Sequence, residues 1–255
     1  MRMSSIDALL SLLDDPDPRV QESLHSRLAG DMALLDRAWQ AAIERGDPPA
    51  ALVEMVLRAD AEALVDAFAE VENLEAGAWL LPRLDLPRRD YRTPGAASLD
   101  AIAQRLGGER DGGAIALFLC RDCGFSGARR EYEQPENSYL PALLERRIGL
   151  PIALTVLWML IGRRLGIECE AIALPGHVVG RWRGGFVDLY EGGKAVSRTE
   201  LDARARAVGE TSAQPYLAPA SDRALLRRMA RNLVHAYVRR ADRLRATIAH
   251  GLATA

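Results

Sequence analysis

One segment limits the fold more than any other: from Leu150 to Gly162 the chain reads LPIALTVLWMLIG, without a charged residue, before Arg163-Arg164 close it. This is shorter than the roughly 20 apolar residues that a bilayer span requires. Apolar side chains surround the axis of a helix from Pro151 to Leu165, so that helix must sit at the centre of a core, with other elements packed on several sides. Pro151 suits the first turn, where its missing N–H is no loss. With 255 residues, 49% of them hydrophobic, the chain is expected to bury roughly 70–75% of its unfolded surface, so the core needs neither a disulfide nor a metal.

The first 90 residues read as short helices, with apolar residues at three- and four-residue spacing and helix starts at Asp17-Pro18 and Asp47-Pro48. Residues 8–28 resemble one HEAT-type helical hairpin, and no second copy recurs at a fixed period, whereas a solenoid needs about three or more. Pro82, Pro87 and Pro94-Gly95 interrupt this pattern, and Ser98 is expected to cap a helix running to about Leu106. Gly107-Gly108 and Gly112-Gly113 form a joint before a helix over Ala114 to Cys123. A polar loop, 124–136, leads to Asn137-Ser138, read as the N-cap of a helix containing Leu140 to Arg147.

After Gly166 the pattern changes. Ile167 to Leu174, Val178 to Trp182 and Gly185 to Tyr190 read as strands separated by Pro175-Gly176 and Gly184-Gly185 turns. Ser197-Arg198-Thr199-Glu200 matches a capping box, and Ser221 caps a closing helix through Ala230, Leu233 and Tyr237. The fold class expected is α+β: an N-terminal helical region (1–95), a core with a small antiparallel sheet against the central helix (96–210), and a C-terminal helical tail (211–255).

Charge and cysteine content exclude several functions. With 33 basic and 35 acidic residues the net charge is −2, which speaks against the basic face that a nucleic-acid partner needs. No membrane partner is expected. Met1 to Asp7 meets an acidic residue before an apolar leader can form, and three cysteines make no secreted disulfide framework, so the expected location is a reducing cytosol. Cys120 and Cys123 form a C-x2-C on one helix face, but Cys169, His25, His235 and His250 do not complete a zinc set. Neither a metal nor a cofactor is expected.

The information on function lies between Gly124 and Gly193. A glycine at the mouth of a buried helix, a Leu165-Gly166-Ile167 helix end, His177 at a strand start and Asp188 on the following strand resemble the transglutaminase-like branch of the papain-related cysteine enzymes. More closely, Asn137-Ser138-Tyr139, Leu144-Glu145-Arg146-Arg147, Gly149-Leu150-Pro151-Ile152, Leu174-Pro175-Gly176-His177, Val187-Asp188 and Gly192-Gly193 resemble the SirB-type transglutaminase-like family of bacterial cytosolic proteins. Val178 and Leu189 depart from that pattern, which favours phenylalanine and proline there.

The resemblance implies a remnant triad of Pro151, His177 and Asp188. A catalytic cysteine at the helix mouth would have its pKa lowered by the backbone N–H groups there, and a His held by an Asp would deprotonate it. Pro151 supplies no nucleophile, and neither do Leu150 and Ile152. The resemblance therefore implies a catalytically silent domain that binds a protein or peptide partner, or a small polar ligand, at a cleft lined by Asn137, Ser138, Tyr139, Glu145, Arg146, Pro151, His177 and Asp188. Two alternatives stay open. One is an acyl-transfer enzyme with a nucleophile relocated to Cys169, Cys123 or Ser138; the other is a helical scaffold with no used cleft. Arg146 and Arg147 have a plain reading as charges at a helix C-terminus.

Overall fold

The computed structural model describes residues 5–46, 48–107 and 111–255. Asp47 of the second expected helix start and Gly108 of the glycine joint lie outside the described residues. The chain divides into two compact units, one running through Asp66 and including Arg83–Arg89, the other formed by Ala67–Pro82 and Asp90–Ala255.

The first unit is helical: α1 (Ser5–Leu12), α2 (Pro18–Ala29), α3 (Met32–Arg45) and α4 (Ala50–Ala69). Leu9, Leu10 and Leu13 meet Leu24 and Leu28, and Leu35, Trp39, Leu52 and Val56 close the cluster. Asp17 caps α2 by accepting from the Arg19 N–H at 2.9 Å, and Asp31 caps α3 through the Leu34 N–H at 2.9 Å. Both use the short carboxylate to satisfy a first-turn amide.

The second unit comprises α5 (Leu74–Ala78), α6 (Arg92–Arg105), α7 (Gly112–Leu117), β1 (Ser126–Gly127), α8 (Leu140–Arg146), β2 (Ile148–Gly149) and α9 (Pro151–Leu165). These are followed by β3 (Glu170–Leu174), β4 (His177–Trp182), β5 (Gly185–Asp188), β6 (Lys194–Val196), α10 (Arg198–Ala207), α11 (Asp222–Arg239) and α12 (Arg243–Thr254). The fold is α+β. Every residue of α9 from Pro151 to Gly162 is buried, as an all-round apolar helix must be. The polar atoms inside it are satisfied locally: Thr155 donates to the Pro151 carbonyl at 2.8 Å, and the Trp158 indole N–H donates to the Gly112 carbonyl at 2.8 Å. Where the helix emerges, Arg163 bonds Asp222, and Arg164 bonds Glu75 and Asp100.

β3, β4, β5 and β6 form an antiparallel meander in that order. α9 covers one face, where a Cβ on Gly180 would lie 2.7 Å from the Trp158 ring. Only a residue without a side chain lets the strand approach the helix this closely. The other face, with Ile172, Leu174, Val179 and Val196, packs on Leu201 and Ala205 of α10. α10 begins with the full capping box, Ser197 and Glu200 each bonding the other's backbone N–H. The outer edge of β3 is covered by an isolated bridge from Ile172 to Pro219 and by the Ala220 N–H donating to the Ala171 carbonyl, so this edge is not left open.

Several expectations need correction. Ser98 caps nothing: α6 starts at Arg92, where Asp90 accepts from the Arg92 and Thr93 amides, and the Ser98 hydroxyl bonds back to the Pro94 carbonyl. Pro94 sits in the first turn, where its missing N–H breaks no bond. Asn137 and Ser138 are not the N-cap of α8; they end a 3-10 turn over Pro135–Ser138, and Tyr139 takes the cap position without a side-chain bond. The first sheet strand is shorter than Ile167 to Leu174, and Lys194–Val196 adds a fourth strand. Cys120 lies in a π-helical turn, Phe118–Asp122, with Cys123 at its C-terminal cap, so the two do not share a regular α-helical face.

Candidate functional site

β4 and β5 position the central pair. Their register sets Gly180 opposite Val187, so one step further brings Val179 opposite Asp188, with His177 two residues along on the same face. Such diagonal neighbours lie within reach of a ring and a carboxylate, and His177 Nε2 is 2.9 Å from Asp188 Oδ2. Asp188 is wholly buried while the His177 side chain is 17% exposed. The same carboxylate receives Arg204 Nη1 of α10 at 2.6 Å, and the Glu191 N–H at 3.1 Å on its other oxygen.

Burial alone would push the Asp188 carboxyl up. The His177 hydrogen bond and charge, the Arg204 guanidinium and the Glu191 amide outweigh it and hold the group below the ordinary carboxylate range. An ionised carboxylate only accepts, so the proton between the two groups belongs to His177 Nε2, and Nδ1 is the ring atom left for other chemistry. Among the described residues Nδ1 has no hydrogen-bond partner.

Tyr190 links this pair to the mouth of α9. Its ring stands edge-on to His177 with centroids 5.9 Å apart, and its hydroxyl donates to the Ala128 carbonyl at 2.7 Å. A Cβ on Gly127 would meet the Tyr190 ring at 2.5 Å, so β1 must carry glycine there for the ring to fit. β1 pairs in parallel with β2, and the Ala128 N–H donates to the Gly149 carbonyl at 3.0 Å, two residues before Pro151. Pro151 is the first residue of α9 and is buried.

The remaining residues expected at the cleft separate into two groups. Asn137 is fully buried and acts as a strut: its side-chain amide N–H groups donate to the Glu131 and Tyr132 carbonyls, and its main-chain carbonyl accepts the Leu150 N–H at 2.8 Å. Ser138 is buried and lines a cavity of about 220 Å³ with Tyr132, Leu150, Asn232 and His235. Tyr139 is buried, and its hydroxyl meets that of Tyr237 at 2.5 Å, a tie to α11. Glu145 and Arg146 stand exposed at the end of α8 and line neither this cavity nor the one described below. Arg147, at φ 62, turns its guanidinium over the Phe125 ring at 4.5 Å.

Arg204, Tyr190, Tyr132 and Arg228 were not singled out in the sequence. Tyr132 stands edge-on to Tyr190 at 6.4 Å, and Arg228 of α11 donates to the carbonyls of Leu174 at 2.9 Å and His177 at 3.1 Å. The one available signal for Arg204 was a run of arginines on a capped helix, which does not say which of them turns inward. The thiols are poorly suited to attack. Burial pushes Cys120 up to about 11 and Cys169 up to about 12, and it raises Cys123. No group of three or more His, Cys, Asp or Glu among the described residues is placed to hold a metal ion. No helix of the described residues is long and apolar enough to cross a membrane.

Comparison with known proteins gives this geometry a family. The chain is 37% identical over 134 residues to a UPF0162 protein of Xylella fastidiosa strain Temecula1, covering 49% of this chain and 48% of that protein. It is 37% identical over 142 residues to the UPF0162 protein of Xylella fastidiosa strain 9a5c, covering 51% and 50%. It thus spans about half the length of these curated relatives. A shorter match, 32% over 82 residues, covers 31% of this chain and 13% of the human F-box only protein 21. No solved structure matches the chain significantly. A family model described as the transglutaminase-like superfamily matches residues 90–231, more than half of the chain. With the buried helix, the meander and the His177–Asp188 pair all inside that span, the chain belongs to the transglutaminase-like superfamily.

Proposed function

We propose that this protein is a SirB-type member of the superfamily whose cleft, at His177, Asp188 and the mouth of α9, binds a peptide or small polar ligand without covalent chemistry. The observation that carries the reading is an oriented His177–Asp188 pair in a chain whose central helix opens with proline at residue 151. A general base with no thiol or hydroxyl in hydrogen-bond reach has nothing to activate. The ring, with Nδ1 unengaged, still offers a polar contact. The relocated-nucleophile alternative has weaker support, because burial raises all three thiols and none bonds the His177 ring. In this reading the N-terminal helices (1–95) present the protein-interaction surface of a cytosolic regulatory module whose core is 96–210 and whose tail is 211–255.

The test is direct. The purified protein is assayed for peptide hydrolysis and for amine transfer to glutamine-containing peptides, and the same peptides are titrated against wild type and His177→Ala. The expected result is no turnover and a ligand whose binding weakens in the variant. Turnover that iodoacetamide blocks and His177→Ala abolishes would overturn the proposal.

A further inference from the structure

A second cavity, of about 320 Å³, opens beside the His177 strand. Its walls are the β3–β4 turn at Pro175-Gly176, Tyr216, and one face of α11 presenting Arg228, Arg231, Asn232 and His235. Residues at these spacings project from a single side of a helix. The charge in this cavity is unbalanced. Arg228 is part-buried, and among the described residues its bonds are the two from Nη2 to the main-chain carbonyls of Leu174 and His177. Arg231 is exposed and has no partner among the described residues. Among the described residues no carboxylate lines this cavity, and Glu133, which lines the 220 Å³ cavity, is paired with Arg239.

Two guanidinium groups side by side repel each other, and burying one without a counter-charge is costly. Consistent with this, burial and the neighbouring Arg231 both lower the Arg228 pKa. An oxyanion held by both would remove that cost and form charge-assisted, fork-shaped hydrogen bonds. Asn232 and His235 also line the 220 Å³ cavity that reaches Leu150 at the mouth of α9, where Tyr132, Leu150 and Ala236 supply an apolar wall. Asn232 and His235 line both cavities, so the two adjoin along α11.

We infer that this groove binds a small ligand with an oxyanion head, carboxylate or phosphate monoester, held by Arg228 and Arg231, and an apolar body running toward Leu150. The inference goes beyond the binding function proposed above, because the groove neighbours the His177 cleft and neither cavity is lined by His177 itself.

The probes are hexanoate, hexyl phosphate, inorganic phosphate and hexanol, titrated by calorimetry into the whole protein. Hexanoate or hexyl phosphate should bind, the tighter of the two identifying the head group, while inorganic phosphate binds more weakly and hexanol does not bind. Arg231→Gln, at an exposed and unpartnered side chain, should fold normally and weaken binding about tenfold, as expected for losing one charge-assisted contact. Arg228→Lys keeps the charge but loses the fork, and should weaken binding by a similar factor. Equal affinity in wild type and Arg231→Gln, or hexanol binding as well as hexanoate, would overturn the inference. His177→Ala separates the two proposals, because Arg228 takes the main-chain carbonyl, which that substitution retains. Probe binding should persist in this variant even if the His177 ring proves to contact no ligand.

Discussion

Asp188→Asn is the sharpest test of how the central pair is held. The substitution keeps the side-chain volume, so no cavity opens, but it removes a buried charge that faces three donors: His177 Nε2, Arg204 Nη1 and the Glu191 N–H. The amide supplies one acceptor where there were two and turns its own N–H groups toward donors. Removing one partner of a buried ion pair costs about 3–5 kcal/mol. Arg204 is 33% exposed and recovers part of its hydration, so the low end, about 3 kcal/mol, is expected. Urea unfolding combined with hydrogen exchange of the β4 and β5 amides reads this loss locally. The sign of the pH dependence is fixed. Because the folded-state pKa of Asp188 is depressed, its stabilisation is fully present above the unfolded carboxylate value of about 3.9 and is lost as the pH falls through the folded value. The difference between wild type and variant should therefore be steady near neutrality and narrow only in acid. A loss under about 0.5 kcal/mol at pH 7, or a difference that widens as the pH falls, would refute this account.

Gly180→Ala would put a methyl group 2.7 Å from the Trp158 ring; a loss of about 1–3 kcal/mol is expected from overpacking, seen as a lowered melting temperature. Ser197→Ala removes one half of the α10 capping box and should cost about 1 kcal/mol, measured as a shift in the urea midpoint. With thiols at about 11 and about 12, Cys120 and Cys169 should be only about one part in a thousand and one in ten thousand thiolate at pH 8. Mass spectrometry after brief iodoacetamide treatment should find Cys123 alkylated first, and rapid labelling of Cys169 would contradict its burial.

The parts of the fold that were legible in the sequence are those fixed by local chemistry. An uninterrupted apolar helix with proline at its start and arginines at its end specifies α9 from Pro151 to Leu165. Ser197 and Ser221 are read correctly because cap and first turn lie within three residues of each other. Ser98 misleads because Asp90, eight positions earlier, already satisfies the first-turn amides. Asn137 looks like a cap, but its amide is used against the Glu131 and Tyr132 carbonyls instead. The pairing of His177 with Asp188 depends on strand register, which sequence spacing leaves open and which the β4–β5 ladder supplies. Arg204 and Arg228 were invisible because their partners lie 16 and about 50 residues away in sequence.

The buried carboxylate of Asp188, shared between His177 and Arg204, has an evolutionary consequence. A neutral replacement of Asp188 leaves the Arg204 guanidinium without its counter-charge, so Asp188 and Arg204 form an epistatic pair that should lose their charges together or not at all across descendants of this fold. Keeping the aspartate is then explained by folding alone, whether or not a ligand is bound. His177 is under no such constraint, since losing its ring leaves Asp188 paired with Arg204 and orphans no charge. In a family alignment His177 is therefore the position whose drift or persistence separates an inherited scaffold from a site still under selection for binding.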